Sequence, residues 1–189
     1  ERIPALRAVV MLLTTSAVVA AANALNCWLE RDTDRLMRRT RLRPLPDGRL
    51  APRWALAIGV TLGVLAVPLL TLLVNPITGL LGAIALVSYV AVYTPMKRRS
   101  STALLVGSVP GALPPLMGWT AATGRLDAPG LALFAVLFFW QVPHFLAIAS
   151  FRREDYAKAG LKTLLEERGV GVARAQAIVY AALTFVSSL

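Results

Sequence analysis

Three carboxylates stand within five residues at Glu30, Asp32 and Asp34, and an arginine-dense stretch containing Arg38, Arg39, Arg41 and Arg43 follows at once. Carboxylates are hard oxygen ligands of the kind Mg²⁺ takes together with water and phosphate oxygens. Guanidinium groups grip phosphate oxygens in pairs. The combination suits a site for a divalent metal and a polyphosphate. If one helix carries residues 26 to 34, then Asn26, Glu30 and Asp34 lie at about 0, 40 and 80 degrees around its axis and share a face. Asp32 stands about 160 degrees from Asp34 and joins Glu30 and Asp34 as a metal ligand only if the helix unwinds there. The competing reading is a charged helix end whose acids pair with Arg31, Arg35 and Arg38 at helical spacing. Asn23 and Asn26 weigh toward a site, because an amide inside an apolar run is costly without a partner.

The element that must position this motif is a long apolar run ending at it. Hydrophobic residues make up 57% of the chain, more than a soluble domain shows, so they face lipid as well as each other. Apolar runs extend from Ala8 to Leu29, Trp54 to Val74, Pro76 to Met96, Ser101 to Gly124 and Ala128 to Phe151. Each is long enough to span a bilayer as a helix, since ~20 residues cover a ~30 Å core. A sixth run begins near Val170 and is still apolar at Leu189, and the first residue is Glu1, so the chain reads as a piece of a longer protein. The expectation is an all-α, polytopic bundle over residues 1–189, with no soluble domain between spans. The single cysteine, Cys27, has no internal disulfide partner and reads as a small packing residue.

A net charge of +10 raises the question of nucleic acid, but the cations are not spread as a groove-binding patch. Seventeen of the twenty Lys and Arg fall in 30–53, at 97–99 and in 152–174, leaving only Arg2, Arg7 and Arg125 for the opposite side. That alternation obeys the positive-inside rule and places the charged loops in the cytoplasm. No nucleic-acid partner is expected, and the lipid bilayer is. The two large charged loops, 30–53 and 152–169, each follow a span and are placed to converge on one site, as in a two-lobed bundle.

Two further features bear on the site. Pro110, Pro114 and Pro115 predict a break in the span around Gly107 to Gly118, and Pro143 predicts another. His144, the only histidine, lies about 10 Å inside its span as counted from Phe151. It is a candidate for contact with a substrate or for a proton step, against a hydrogen-bonded packing histidine. No second His or Cys lies within metal-ligand spacing of it.

Asn26-x-x-x-Glu30-x-x-x-Asp34 resembles the Asn-x-x-x-Asp-x-x-x-Asp motif of the UbiA-type intramembrane prenyltransferases. Several segments resemble more narrowly the heme-prenylating members: Asp32, Asp34, Met37, Arg39-Thr40, Arg43-Pro44 and Gly48, then Tyr93-Thr94-x-x-Lys97-Arg98-Arg99. Gly111-Ala112-Leu113-Pro114-Pro115-Leu116-Met117-Gly118-Trp119 and Pro143-His144-Phe145 follow, with Asp155-Tyr156-Ala157-Lys158-Ala159-Gly160 last. The resemblance implies a bundle of nine spans, of which this chain holds roughly the second to the seventh. It implies Mg²⁺-dependent transfer of a farnesyl group from farnesyl diphosphate to a vinyl carbon of protoheme IX, giving heme O for heme-copper oxidases, in a bacterial inner membrane. Two departures stand out. Glu30 replaces the usual Asp, keeping the ligand type but moving it outward, and Leu161-Lys162-Thr163-Leu164-Leu165 replaces a Pro-Met-Leu-Pro-like stretch.

On this resemblance Asn26, Glu30, Asp34 and His144 are the catalytic candidates. The substrate-binding candidates are Arg39, Arg43, Lys97, Arg98, Tyr93, Trp119, Asp155, Tyr156 and Lys158. Relatives with a second Asp-rich motif use the later loop for another metal. Here Glu154 and Asp155 stand beside Lys158 and Lys162, which makes a second metal doubtful and direct neutralisation of diphosphate by lysine an alternative. Leaving of diphosphate creates an allylic carbocation, so positive charge at the leaving group should dominate the rate effect. The cation calls for electron-rich walls, for which Trp28, Tyr93, Trp119, Phe138 and Trp140 are candidates, although aromatics at span ends also form interface belts. Two other classes remain open: a prenyltransferase acting on an aromatic quinone precursor, and a transporter. Charges gathered at one membrane face, away from the midplane, weigh against the transporter.

Overall fold

The computed structural model describes residues 5–189; Arg2, counted above on the sparsely charged side, lies outside them. The described residues are helices joined by turns and by one long non-helical loop over 35–51, with no strand among them. Helix α1 (Ala5–Asp34) has 30 residues, about 45 Å, and so carries the acidic motif out past the apolar core of a bilayer. Helix α2 (Pro52–Leu73) starts on a proline at its first position, where the missing N–H costs nothing. Helix α3 (Pro76–Val87) passes into a π-helical segment, Ser88–Tyr93, and then a short α4 (Thr94–Met96). Helix α5 (Ala103–Thr123) ends at Gly124, whose φ of +70° is the left-handed conformation that suits glycine. Helix α6 (Ala128–Phe151) leads to two short helices, α7 (Arg153–Lys158) and α8 (Leu164–Glu167), and then α9 (Gly169–Ser187).

Neighbours in sequence are neighbours in space: α1 packs on α2, α2 on α3, α3 on α5, α5 on α6 and α6 on α9. One core gathers Val18, Leu70, Leu81, Leu116 and Met117, and a second joins Val142 and Leu146 to Leu164, Leu165 and Ala173. Apolar side chains such as Leu12, Leu65, Leu72 and Ile178 point outward, as lipid-facing residues do. Among the described residues, five helices have the length and apolarity to cross a membrane: Ala5–Asp34, Pro52–Leu73, Pro76–Met96, Ala128–Phe151 and Gly169–Ser187. Helix α5, expected as a span, falls outside that set and is wedged between α3 and α6. At the end away from the acidic motif, Asn75 Oδ1 accepts from Thr78 N at 2.8 Å and its Nδ2 donates to Thr120 O at 2.8 Å. That amide satisfies the start of α3 and ties it to α5.

The expected breaks do not occur. Helix α5 continues through Pro110, Pro114 and Pro115, and α6 continues through Pro143. A proline removes one intrahelical bond and costs about 3 kcal/mol, but it ends a helix only when packing does not hold the course. Here Ala112, Leu113, Leu116 and Met117 of α5 are buried. Gln141 of α6 reaches across to donate to Ser108 O at 3.2 Å, over Gly111, where any side chain would meet the Gln141 amide.

Candidate active site

Asn26, Glu30 and Asp34 line one cavity of about 550 Å³ at the charged end of the bundle. Asp34 is 1% exposed and would be an unpaired buried charge without its partner. The partner comes from the loop that follows α1. Thr40 Oγ1 donates to Asp34 O at 2.8 Å and Arg35 Nε to Pro46 O at 3.1 Å, folding the loop back on the helix end. Arg43 Nη1 then reaches Asp34 Oδ2 at 2.9 Å. Cys27, half-buried, lies 3.8 Å from the same guanidinium nitrogen.

Glu30 is held by a different cation. Lys97 Nζ donates to both of its oxygens at 3.0 Å and to Asn26 Oδ1 at 3.2 Å. Thr94 Oγ1 stands 3.0 Å from the same amide oxygen. Lys97 owes its position to the π-helical segment, in which Thr94 N bonds Tyr89 O, one residue further back than an α-helix allows. Tyr89 and Tyr93, four residues apart on this segment, stand with ring centroids 5.2 Å apart, and both line the cavity. The Lys97 ammonium sits 4.5 Å from the Tyr93 ring centroid, within cation–π range.

Gly107 of α5 lets this ring in, since a Cβ there would lie 2.6 Å from Tyr93 Cδ2. Gly107→Ala is therefore expected to cost about 1–3 kcal/mol by overpacking. Thermal unfolding in detergent checks this against Gly118→Ala, where the added carbon meets only Met11 Cε at 3.6 Å.

The third charged loop closes the cavity. Lys162 N donates to Lys97 O at 2.8 Å, and Glu167 accepts from Ser101 N at 3.1 Å. Hydrogen bonding from the Ser101 side chain and backbone holds the Glu167 carboxyl below its usual range. A lowered carboxyl pKa means that this tie contributes at neutral pH and is lost as pH falls through the lowered value. Thr163 caps α8 in a reciprocal box with Glu166, so the stretch that departs from the expected Pro-Met-Leu-Pro pattern supplies its own helix start. Both large charged loops and the Lys97 turn thus meet at one cavity, with Phe145, Ile148 and Ala149 of α6 as its apolar wall.

Arg39, Arg43, Lys97, Tyr93 and Tyr156 line the cavity with the α1 face. Asp32 does not: α1 stays helical to Asp34, and the Asp32 side chain, 68% exposed, turns to Arg31 and Arg35 at 3.8 Å each. His144 is exposed on the outer side of α6, stacked on Trp140 with centroids 4.7 Å apart, and is no part of the cavity wall. Trp119 lies at the other end of α5, where its Nε1 donates to Asp127 at 2.6 Å. Arg98 and Lys158 are exposed and stand outside the cavity, as do Trp28 and Phe138. Asp155 is buried at a separate hollow beside Arg38 and Arg153. Sequence reasoning missed Tyr89 and the cavity-lining position of Arg152. A helical stripe Phe145, Ile148, Ala149 and Arg152 was the available signal for the latter. Among the described residues no three His, Cys, Asp or Glu side chains gather as a metal cage.

The model described as the UbiA prenyltransferase family matches residues 1–189. The chain belongs to the UbiA prenyltransferase family. Its resemblance at the Asn26 motif is thus met across the whole chain. It is 60% identical over 184 residues to the protoheme IX farnesyltransferase of Anaeromyxobacter sp. (strain Fw109-5), covering 97% of this chain and 62% of that protein. It is 52% identical over 187 residues to the protoheme IX farnesyltransferase of Sorangium cellulosum (strain So ce56), covering 99% of this chain and 67% of that protein. The chain therefore spans roughly two thirds of the length of these curated relatives. Among solved structures, the apo structure of a UbiA homolog from Aeropyrum pernix K1 matches with a TM-score of 0.77 at 22% identity, covering 98% of this chain and 70% of that one. At that identity the match establishes the fold.

Proposed function

We propose that residues 1–189 belong to a single membrane-embedded prenyltransferase domain that transfers a farnesyl group from farnesyl diphosphate to protoheme IX, giving heme O for heme-copper oxidases. The observation that carries the reading is the meeting of Asn26, Glu30 and Asp34 with cations from three loops in one cavity whose far wall is apolar and aromatic. The names of the relatives supply the acceptor.

Two carboxylates and an amide oxygen on one helix face fit Mg²⁺, which takes hard oxygens and keeps positions for substrate phosphate. Glu30 and Asp34 would hold it, and Mg²⁺ bound there supplies charge neutralisation at the leaving diphosphate. Arg39, Arg152 and Lys162 line the same cavity and add fixed positive charge where negative charge develops. Tyr89, Tyr93 and Phe145 give the farnesyl cation a dry, electron-rich surface once its carbon–oxygen bond breaks. The outer vinyl carbon of the acceptor bonds to that allylic carbon through its π electrons. Water captures the cation left on the inner vinyl carbon and gives up a proton, and the diphosphate already released by the carbon–oxygen cleavage departs.

The full-length protein in lipid with Mg²⁺ and farnesyl diphosphate, offered protoheme or 4-hydroxybenzoate separately, is expected to prenylate only the heme, as read by mass. Prenylation of the phenol alone would move the protein to the quinone branch. The cation excess of the three charged loops supports a cavity that faces the cytoplasmic side of a bacterial inner membrane. With Cys27 replaced, a Cys introduced at Arg49 should resist an impermeant reagent in intact cells, and one at Asp127 should react. The reverse pattern would invert the orientation.

A further inference from the structure

The ammonium of Lys97 lies 3.0 Å from each Glu30 oxygen and 3.2 Å from Asn26 Oδ1, so three oxygens surround one positive charge. Both ends are well shielded, with side-chain exposures of 17% for Lys97 and 14% for Glu30. The Tyr93 ring covers the ammonium at 4.5 Å. This is the arrangement of an ion and its ligands, made with the chain's own cation.

We propose that Lys97 is a resident counterion, holding the Glu30–Asn26 oxygens in the substrate-free protein and giving them up when metal and diphosphate load together. The proposal rests on the metal–diphosphate reading of this cavity. Mg²⁺ binds oxygen at about 2.0–2.1 Å, and in this tight arrangement it competes with the ammonium for the lone pairs and the space that Lys97 Nζ takes at 3.0 Å from each Glu30 oxygen. Displacement leaves a shielded positive charge without a partner, which is costly. Diphosphate removes that cost by accepting the freed ammonium, whose flexible four-carbon stem allows it to swing. The backbone stays in place, because Lys97 O accepts from Lys162 N at 2.8 Å and Lys97 N bonds Tyr93 O. Metal alone then binds weakly, diphosphate strengthens it, and by linkage the metal strengthens diphosphate equally. A carboxylate pair kept neutralised until the substrate arrives also protects the empty cavity from charge repulsion between Glu30 and Asp34.

The test is binding of Mn²⁺ to the full-length protein in detergent, read by electron paramagnetic resonance with and without inorganic pyrophosphate. Wild type is expected to bind Mn²⁺ weakly alone and about tenfold or more tightly with pyrophosphate. Lys97→Met is expected to bind Mn²⁺ alone about tenfold more tightly than wild type and to lose most of the gain from pyrophosphate. Lys97→Arg keeps the charge and should stay weak without pyrophosphate. Lys97→Gln gives the same comparison if the Met variant does not fold. Mn²⁺ binding to the Met or Gln variant no tighter than to wild type, with pyrophosphate still enhancing both, overturns the counterion role and leaves the metal site standing. No Mn²⁺ binding to any of these proteins under either condition overturns the metal reading and the counterion with it.

Discussion

Glu30→Gln or Asp34→Asn in the full-length protein is expected to lower farnesyl transfer by about a thousandfold, on the scale of losing a principal charge stabiliser of the transition state. Asp32→Asn is expected to stay within a few-fold of wild type. All three are acids within five residues, so the contrast isolates geometry from charge. Glu30 and Asp34 face the cavity, whereas Asp32 is 68% exposed and paired only at the surface. Exposed pairs of that kind contribute little, about 0–1 kcal/mol. Single-turnover product formation, with folding checked by size exclusion, separates loss of chemistry from loss of protein. Equal loss at all three positions would mean that α1 unwinds before Asp34 when substrate binds.

Arg43→Met is expected to act on stability as well as on activity. Asp34 has a side-chain exposure of 2%, and Arg43, at 36%, is the cation bonded to it at 2.9 Å. Removing one partner of a buried pair costs about 3–5 kcal/mol, and the partial exposure of Arg43 lowers the expected loss to roughly 2–3 kcal/mol. Adding Asp34→Asn to Arg43→Met should restore most of the thermal stability, because no uncompensated charge then remains, while activity stays lost. A double variant no more stable than Arg43→Met would show that Arg43 acts through packing of its loop and not through the Asp34 charge.

Much of the site was legible before the fold. Four-residue spacing puts Asn26, Glu30 and Asp34 on one face whatever the rest of the helix does, and the same arithmetic turns Asp32 away. Loop charge alternation was legible because topology is written in composition as well as in contacts. His144 shows the limit of such reasoning. Its depth along α6 follows from counting residues, but its azimuth is set by which side α5 and α9 cover. It stands about 100 degrees around the helix from Phe145, which faces the cavity. The π-helical segment was also out of reach, since one extra residue per turn leaves no periodic signature in Ser88–Tyr93. The proline-bearing helices misled for a related reason: the local cost is visible in the sequence, whereas the packing of Leu113, Leu116 and Met117 that offsets it is not.

The most direct test is a structure of the full-length protein with Mg²⁺ and a non-cleavable thiodiphosphate analogue of farnesyl diphosphate. The diphosphate is expected within the cavity, bridged through metal to Glu30 and Asp34 and contacted by Arg39 and Lys162, with the prenyl chain along Tyr93 and Phe145. Diphosphate seated instead in the separate hollow beside Arg38, Arg153 and Asp155, with the Glu30–Lys97 pair undisturbed, would contradict it.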